Sequence, residues 1–115
     1  MKQTDRPIYL QIRDRIAAAI IDEDFGVGDA LPSVRMLAGQ ENVNPLTVSK
    51  AYQELQMAGL VEARRGLGLF VVSGARDRLI SDEKQAFLTE EWPRVRAHAR
   101  RLGISLADLV DAETA

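Results

Sequence analysis

The 115-residue chain has no cysteine, a single histidine and few aromatics. It also lacks any apolar run approaching the ~18 residues that would span a bilayer. Each absence excludes something. Without thiols there is neither a disulfide staple nor a thiolate metal site, and a reducing compartment is expected. His98 sits on a charged stretch beside Arg100 and Arg101 and reads as an exposed residue. No paired carboxylates fall where a pocket wall is expected, and the Gly66-Leu67-Gly68 run has no following helix to cradle a phosphate. The residue inventory therefore argues against an enzyme and predicts no catalytic residue, metal site or cofactor. The opening residues MKQTDRPIYLQ lack the apolar core of a signal peptide, so a cytoplasmic protein with no membrane partner is expected.

An excess of positive charge is missing as well. Net charge is −2. Residues 1–78 carry ten Lys/Arg against ten Asp/Glu, and residues 79–115 carry five against seven. The cheap electrostatic footprint of a nucleic-acid binder is thus absent, and any such function must rest on local geometry.

The periodicity is informative. Pro7 suits a helix start, and Ile8, Ile12, Ile16 and Ile20 follow at four-residue steps, predicting a helix over 7–24 closed by Phe25-Gly26. Ser33 is placed as an N-cap for a short helix over 34–40 carrying Val34, Leu37 and Ala38. After the tight connection Glu41-Asn42-Val43, Asn44 is a natural N-cap and Pro45 a natural first residue for a third helix over 45–58, ended by Gly59. Residues 60–72 switch to strand composition around Arg64-Arg65-Gly66-Leu67-Gly68, predicting a hairpin. Ser73 to Arg76 reads as a linker. In the tail, Leu88, Trp92, Val95, Ala99 and Leu102 step by 4, 3, 4, 3, the spacing of an a/d seam. Pro93 interrupts that seam and should kink the helix or restart it. Ser105 to Asp108 fits a capping box for a last short helix bearing Leu106, Leu109 and Val110.

Two helices close in sequence with a tight turn between them form a helix-turn-helix signature, here followed by a hairpin. In that arrangement the second helix enters the major groove with its N-terminal residues at base edges. Val48, Ala51, Tyr52 and Leu55 form the apolar stripe of the third helix, whereas Leu46, Thr47, Ser49 and Lys50 lie off it. A leucine or threonine methyl can touch a thymine methyl, and a lysine can reach a guanine edge or a phosphate. Arg64, Arg65 and Gly66 at the hairpin tip offer two cations and a place where backbone can approach a duplex. Taken singly, each feature is also explained as a cap, a solvated face or an edge device; their joint order carries the reading.

The segments PIYLQI, LPSVRMLA, NPLTVSKAYQEL, GLVEARRG and GLFVV, at these separations over residues 6–73, resemble the N-terminal domain of the GntR family of bacterial transcription regulators. The tail WPRVRAHARRLGISLADLV is similar to the short helical C-terminus of the YtrA subfamily. The resemblance implies a mainly α fold with a small β-hairpin: a winged helix-turn-helix domain over 1–75 (helix-turn-helix about 33–55, wing 60–72) and a helical dimerisation tail over 76–115. It implies DNA contacts at Ser33 and Arg35, at Asn44, Pro45, Leu46, Thr47, Ser49 and Lys50, and at Arg65 and Gly66. Many family members carry Arg where Pro45 stands, Thr at Leu46, and Arg at Ser49 and Lys50, so the reading face here is less charged. About 40 residues follow the wing, too few to wall a ligand pocket of ~300 Å³ or more. The seam Leu88, Trp92, Val95, Ala99 and Leu102 is therefore read as a homodimer interface that would place two recognition helices on a palindromic double-stranded operator. Packing of that seam on the chain's own first helix is the alternative. A repressor is expected, and the subfamily resemblance implies a transporter operon with its own gene. No residue cluster points to a small-molecule effector. The rival reading is a winged-helix protein-interaction module without specific DNA binding.

Overall fold

The computed structural model describes residues 6–114. The first five residues, part of the stretch over which a signal core was sought, lie outside the described residues. The chain divides into two compact units, one running to Ile80 and a second beginning at Ser81.

In the first unit, α1 spans Ile8–Ile21 and buries Ile12, Ile16, Ala17 and Ile20. It begins one residue later than expected, with Pro7 as the flanking cap residue, and it ends before Asp22. Ile8, the first member of the isoleucine ladder, is exposed rather than buried, because it lines an open groove with Leu46, Thr47 and Lys50 instead of entering the core. Helix α2 (Val34–Glu41) and helix α3 (Pro45–Met57) follow. Between them Asn42 adopts a left-handed conformation, φ 58°, which asparagine tolerates better than most residues. The Val43 N–H then reaches back to the Ala38 carbonyl at 3.0 Å, closing α2 as a glycine would. Helix α3 ends in a Schellman arrangement. Gly59 sits at φ 75°, its N–H donating to the Gln56 carbonyl and that of Leu60 to the Leu55 carbonyl, each at 3.0 Å, with Leu55 and Leu60 both buried beside it.

The wing is an antiparallel hairpin of β1 (Val61–Arg64) and β2 (Gly68–Val71), paired Val61 with Val71 through Arg64 with Gly68. The loop ahead of α2 covers the far edge of β2. Gly28 N–H donates to the Val71 carbonyl at 2.9 Å, Leu31 N–H to that of Leu69 at 2.8 Å, and Val71 N–H to that of Asp29 at 3.0 Å. A two-stranded ribbon is marginal alone; here its edge is satisfied and Val61 and Val71 are buried in the core. That core joins Ile12, Ile16 and Ile20 to Leu31, Leu37, Val48, Ala51, Leu55 and Leu60. Each of the large aliphatic side chains fully withdrawn there stabilises the fold by about 1.5–3 kcal/mol.

Helix α4 (Ala75–Ala86) starts immediately after the wing. The stretch read as a linker is not one. Ala75 is completely buried and Leu79 nearly so, and two arginines tie the first turns of α4 to the rest of the unit. Arg76 donates to the Ile21 carbonyl at 2.7 Å. Arg78 donates to the Ala58 and Gly59 carbonyls at 2.6 and 3.1 Å. Both cations thus sit at helix C-termini, where orphan carbonyls and the dipole favour positive charge.

In the second unit, a π-helical segment (Phe87–Glu91) leads into α5 (Trp92–Arg101), and α6 spans Leu106–Thr114. Pro93 does not restart the helix. Glu91 and Trp92 keep right-handed helical dihedrals, and the Trp92 N–H reaches the Phe87 carbonyl, five residues back. A wider turn ahead of proline makes room for a ring that would strike the carbonyl four residues back in a regular α-helix. The capping box forms as read: Ser105 N–H donates to Asp108 Oδ2 at 3.0 Å and Asp108 N–H to Ser105 Oγ at 3.1 Å. The bond from the Ser105 N–H first, and the Ser105 hydroxyl beside it, hold the Asp108 carboxyl below the usual carboxylate range. No helix among the described residues is long and apolar enough to cross a membrane.

Candidate nucleic-acid interface

Helix α3 is anchored by one face and open on the other. Val48, Ala51, Tyr52 and Leu55 are buried. Tyr52 does more than fill space: its hydroxyl donates to the Pro32 carbonyl at 2.8 Å, tying α3 to the residue before the α2 cap. Burial pushes its phenol up to about 12, so the group stays a neutral donor throughout the physiological range. On the surface between the helices, Arg13 of α1 lies 3.9 Å from Glu54 of α3.

The opposite ridge carries Leu46, Lys50, Gln53 and Met57, one above another at helical spacing. All four are exposed, Leu46 at 77%. Thr47 and Ser49, placed off the apolar stripe by the sequence, flank this ridge and are half-buried rather than free. Thr47 faces α1 and, with Ile8, Tyr9, Leu46 and Lys50, lines an open groove. The Lys50 ammonium lies over the Tyr9 ring, 4.3 Å from its centroid. That contact carried no sequence signal, because it joins residues 41 positions apart.

The helix starts are set by their caps. Ser33 Oγ accepts from the Met36 N–H at 3.1 Å, and Asn44 Oδ1 from the Leu46 N–H at 2.8 Å with Pro45 in the first turn. Each cap satisfies one orphan donor, and the positive end of each helix dipole lies at these starts; in α3 Pro45 carries no N–H, and those of Thr47 and Val48 donate to the Asn44 carbonyl at 2.9 and 3.4 Å. Arg35 is exposed on α2 and makes no ion pair among the described residues. In the wing, Leu67 N–H donates to the Arg64 carbonyl at 2.8 Å, closing a turn whose third residue, Gly66, has φ 75°. No neighbour lies within 4 Å of where a Gly66 Cβ would stand, so it is this backbone conformation that favours glycine. Arg65 projects unpaired among the described residues, beside an exposed Leu67. Arg64 is engaged within the wing, its guanidinium 4.2 Å from the Phe70 centroid and 3.4 Å from Glu62.

In the tail, Leu88, Val95 and Leu102 are exposed and Trp92 is half-buried. Ala99 is the one member of the seam that is buried.

A capped helix pair, an uncovered ridge on the second helix and a braced wing define a winged helix-turn-helix DNA-binding regulator. The model of the gntR family of bacterial regulatory proteins matches residues 8–71, and the chain belongs to that family, with its likeness to YtrA proteins placing it in the YtrA subfamily. It is 44% identical over 77% of its length to the HTH-type transcriptional regulator YhcF of Bacillus subtilis, covering 71% of that protein. It is 35% identical over 93% of its length to the HTH-type transcriptional repressor YtrA of the same organism, covering 82% of it. A GntR family transcriptional regulator from Listeria monocytogenes superposes with a TM-score of 0.77 at 31% identity, over 95% of this chain and 94% of that one. The AraR DNA-binding domain, solved in complex with operator ORE1, gives a TM-score of 0.56 at 28% identity over 58% of this chain and 82% of that one.

Proposed function

We propose that the protein is a homodimeric cytoplasmic repressor that binds a palindromic operator, reading the major groove with the N-terminal half of α3. One observation carries the reading: the ridge of Leu46 and Lys50 is exposed on a helix whose other face is locked into the core. Leu46 supplies an apolar contact for a thymine methyl, Lys50 a donor for a guanine edge or a phosphate, and Thr47 and Ser49 short hydroxyls at the flanks. Ser33, Arg35, Asn44 and Pro45 bring the two helix N-termini, with the positive ends of their dipoles, to the phosphates. Arg65 and Gly66 present the wing to the adjoining groove, with Arg64 bracing it from behind.

The AraR domain solved with its operator and the repressor named YtrA support this assignment. The exposed tail residues Leu88, Val95 and Leu102, with Trp92, support a second copy as the partner of the seam. A two-fold dimer doubles a phosphate contact set that is thin in one copy, and it places two α3 helices about one DNA turn apart. Occupying an operator across a promoter represses without further machinery. The resemblance to YtrA regulators favours a transporter operon, and the protein's own gene, as the target.

The test is a salt titration on a palindromic fragment from the region upstream of the protein's own gene. Log affinity should fall linearly with log salt as counterions are released, and Lys50→Ala should weaken specific binding by about 1–3 kcal/mol. A protein that shifts no such fragment at low salt is a protein-interaction module instead.

A further inference from the structure

We propose that Tyr9 is a positioning residue for Lys50: its ring holds the ammonium of the recognition helix in place before DNA arrives. The inference rests on the reading of α3 given above and adds a residue from outside the helix-turn-helix. Tyr9 lies in the first turn of α1, half-buried and packed against the core. Its ring and Ile8 form one wall of the open groove whose other wall is Leu46, Thr47 and Lys50. The Lys50 Nζ stands 4.3 Å from the ring centroid, within the range of a cation–π attraction.

The choice of partner matters. Every cation on the adjoining stretch is already committed to a carboxylate: Arg6 and Arg13 to Asp14, and Arg15 to Glu41. Lys50 makes no such pair among the described residues. A carboxylate partner would cancel the charge and would have to be displaced before the ammonium could meet a guanine or a phosphate. A ring face restrains the ammonium while leaving its charge intact and its N–H donors free on the side away from the ring. A flexible four-carbon stem on an exposed ridge otherwise loses its rotamer freedom only on binding, so restraint beforehand recovers part of that loss.

The experiment uses the full chain with Tyr9→Leu, Tyr9→Phe and Lys50→Ala, singly and combined. Without DNA, the Lys50 ε-methylene protons should show an upfield ring-current shift in the wild type and in Tyr9→Phe, lost in Tyr9→Leu; its absence from the wild type overturns the proposal. With a palindromic operator fragment, Tyr9→Leu should weaken binding about two- to fivefold, Tyr9→Phe should restore it, and the loss should vanish in the Lys50→Ala background. An equal loss in both backgrounds makes Tyr9 merely structural and refutes the coupling. If Lys50→Ala leaves operator preference unchanged while the ring-current shift persists, the reading of α3 itself fails and the proposal falls with it.

Discussion

The hydroxyl of Tyr52 gives a quantitative test of what fixes α3 against α2. Tyr52→Phe removes one hydrogen bond, to the Pro32 carbonyl at 2.8 Å, and keeps the ring that fills the core. The transfer term is therefore nearly unchanged, and the cost is that of a single neutral hydrogen bond, about 0.5–1.5 kcal/mol net. Pro32 is only half-buried, so its carbonyl can recover water, which keeps the expected loss near ~1 kcal/mol. For a domain of this size that corresponds to a fall in Tm of about 4–8 °C. Urea unfolding should show a lower midpoint at unchanged slope. The buried phenol has a signature of its own in alkali. Burial raises the folded phenol from 10.0 to about 12, so between those values the folded chain keeps a proton that the unfolded chain has released. Stability contributed by the neutral phenol is full below pH 10 and falls as pH rises through that window. Tyr52→Phe should therefore lose less stability than the wild type over the same range. An unchanged midpoint at neutral pH would refute the bond as a tie between the two helices, and identical alkaline slopes in the two proteins would refute the raised phenol.

Three further expectations follow from other contacts. Arg78→Ala strips the cation from the C-terminus of α3 and should cost about 1 kcal/mol in urea unfolding; a neutral effect would show that solvent serves the Ala58 and Gly59 carbonyls equally well. Ser105→Ala should reduce the helical signal of the tail by circular dichroism. Because the Ser105 N–H holds the Asp108 carboxyl low, its stabilisation is present above the ordinary carboxylate range and disappears as pH falls through the lowered value, so the wild type and Asp108→Ala should converge in acid. Trp92→Glu or Val95→Glu places a charge on the proposed seam and should yield monomers in sedimentation experiments, whereas a persistent dimer would locate the interface elsewhere.

Much of the fold could be read in advance because its signals are short-range. Ser33, Asn44-Pro45, Gly59 and the Ser105–Asp108 box each act over a few residues, and each stands where expected. The buried stripe of α3 was equally plain, since tertiary packing preserved the period. What escaped depends on residues distant in sequence. The loop from Gly28 to Leu31 hides its pairing with β2 because it has no strand composition of its own. Ser73 to Arg76 looked like a linker because nothing local reports that Arg76 and Arg78 will find the ends of two other helices. At the candidate interface the exposed ridge of Leu46 and Lys50 was legible, while the partial burial of Thr47 and Ser49 was not. Helical spacing gives direction from the axis but not how far the neighbouring helix extends. The cation–π contacts of Lys50 and Arg64 were likewise invisible until the elements were brought together.

The π-helical segment bears on how the tail's apolar residues line up. The steps of 4 and 3 from Leu88 to Leu102 describe one stripe only on an uninterrupted α-helix. A π turn acts as a single-residue insertion, and one residue corresponds to about 100° of helix phase. Leu88 lies inside the segment Phe87–Glu91, whereas Trp92, Val95, Ala99 and Leu102 follow it. The wide turn therefore works as a phase shifter: it sets the azimuth at which the α5 stripe emerges relative to the last turn of α4. Removing one residue there would leave every side chain chemically intact and aim the stripe in another direction.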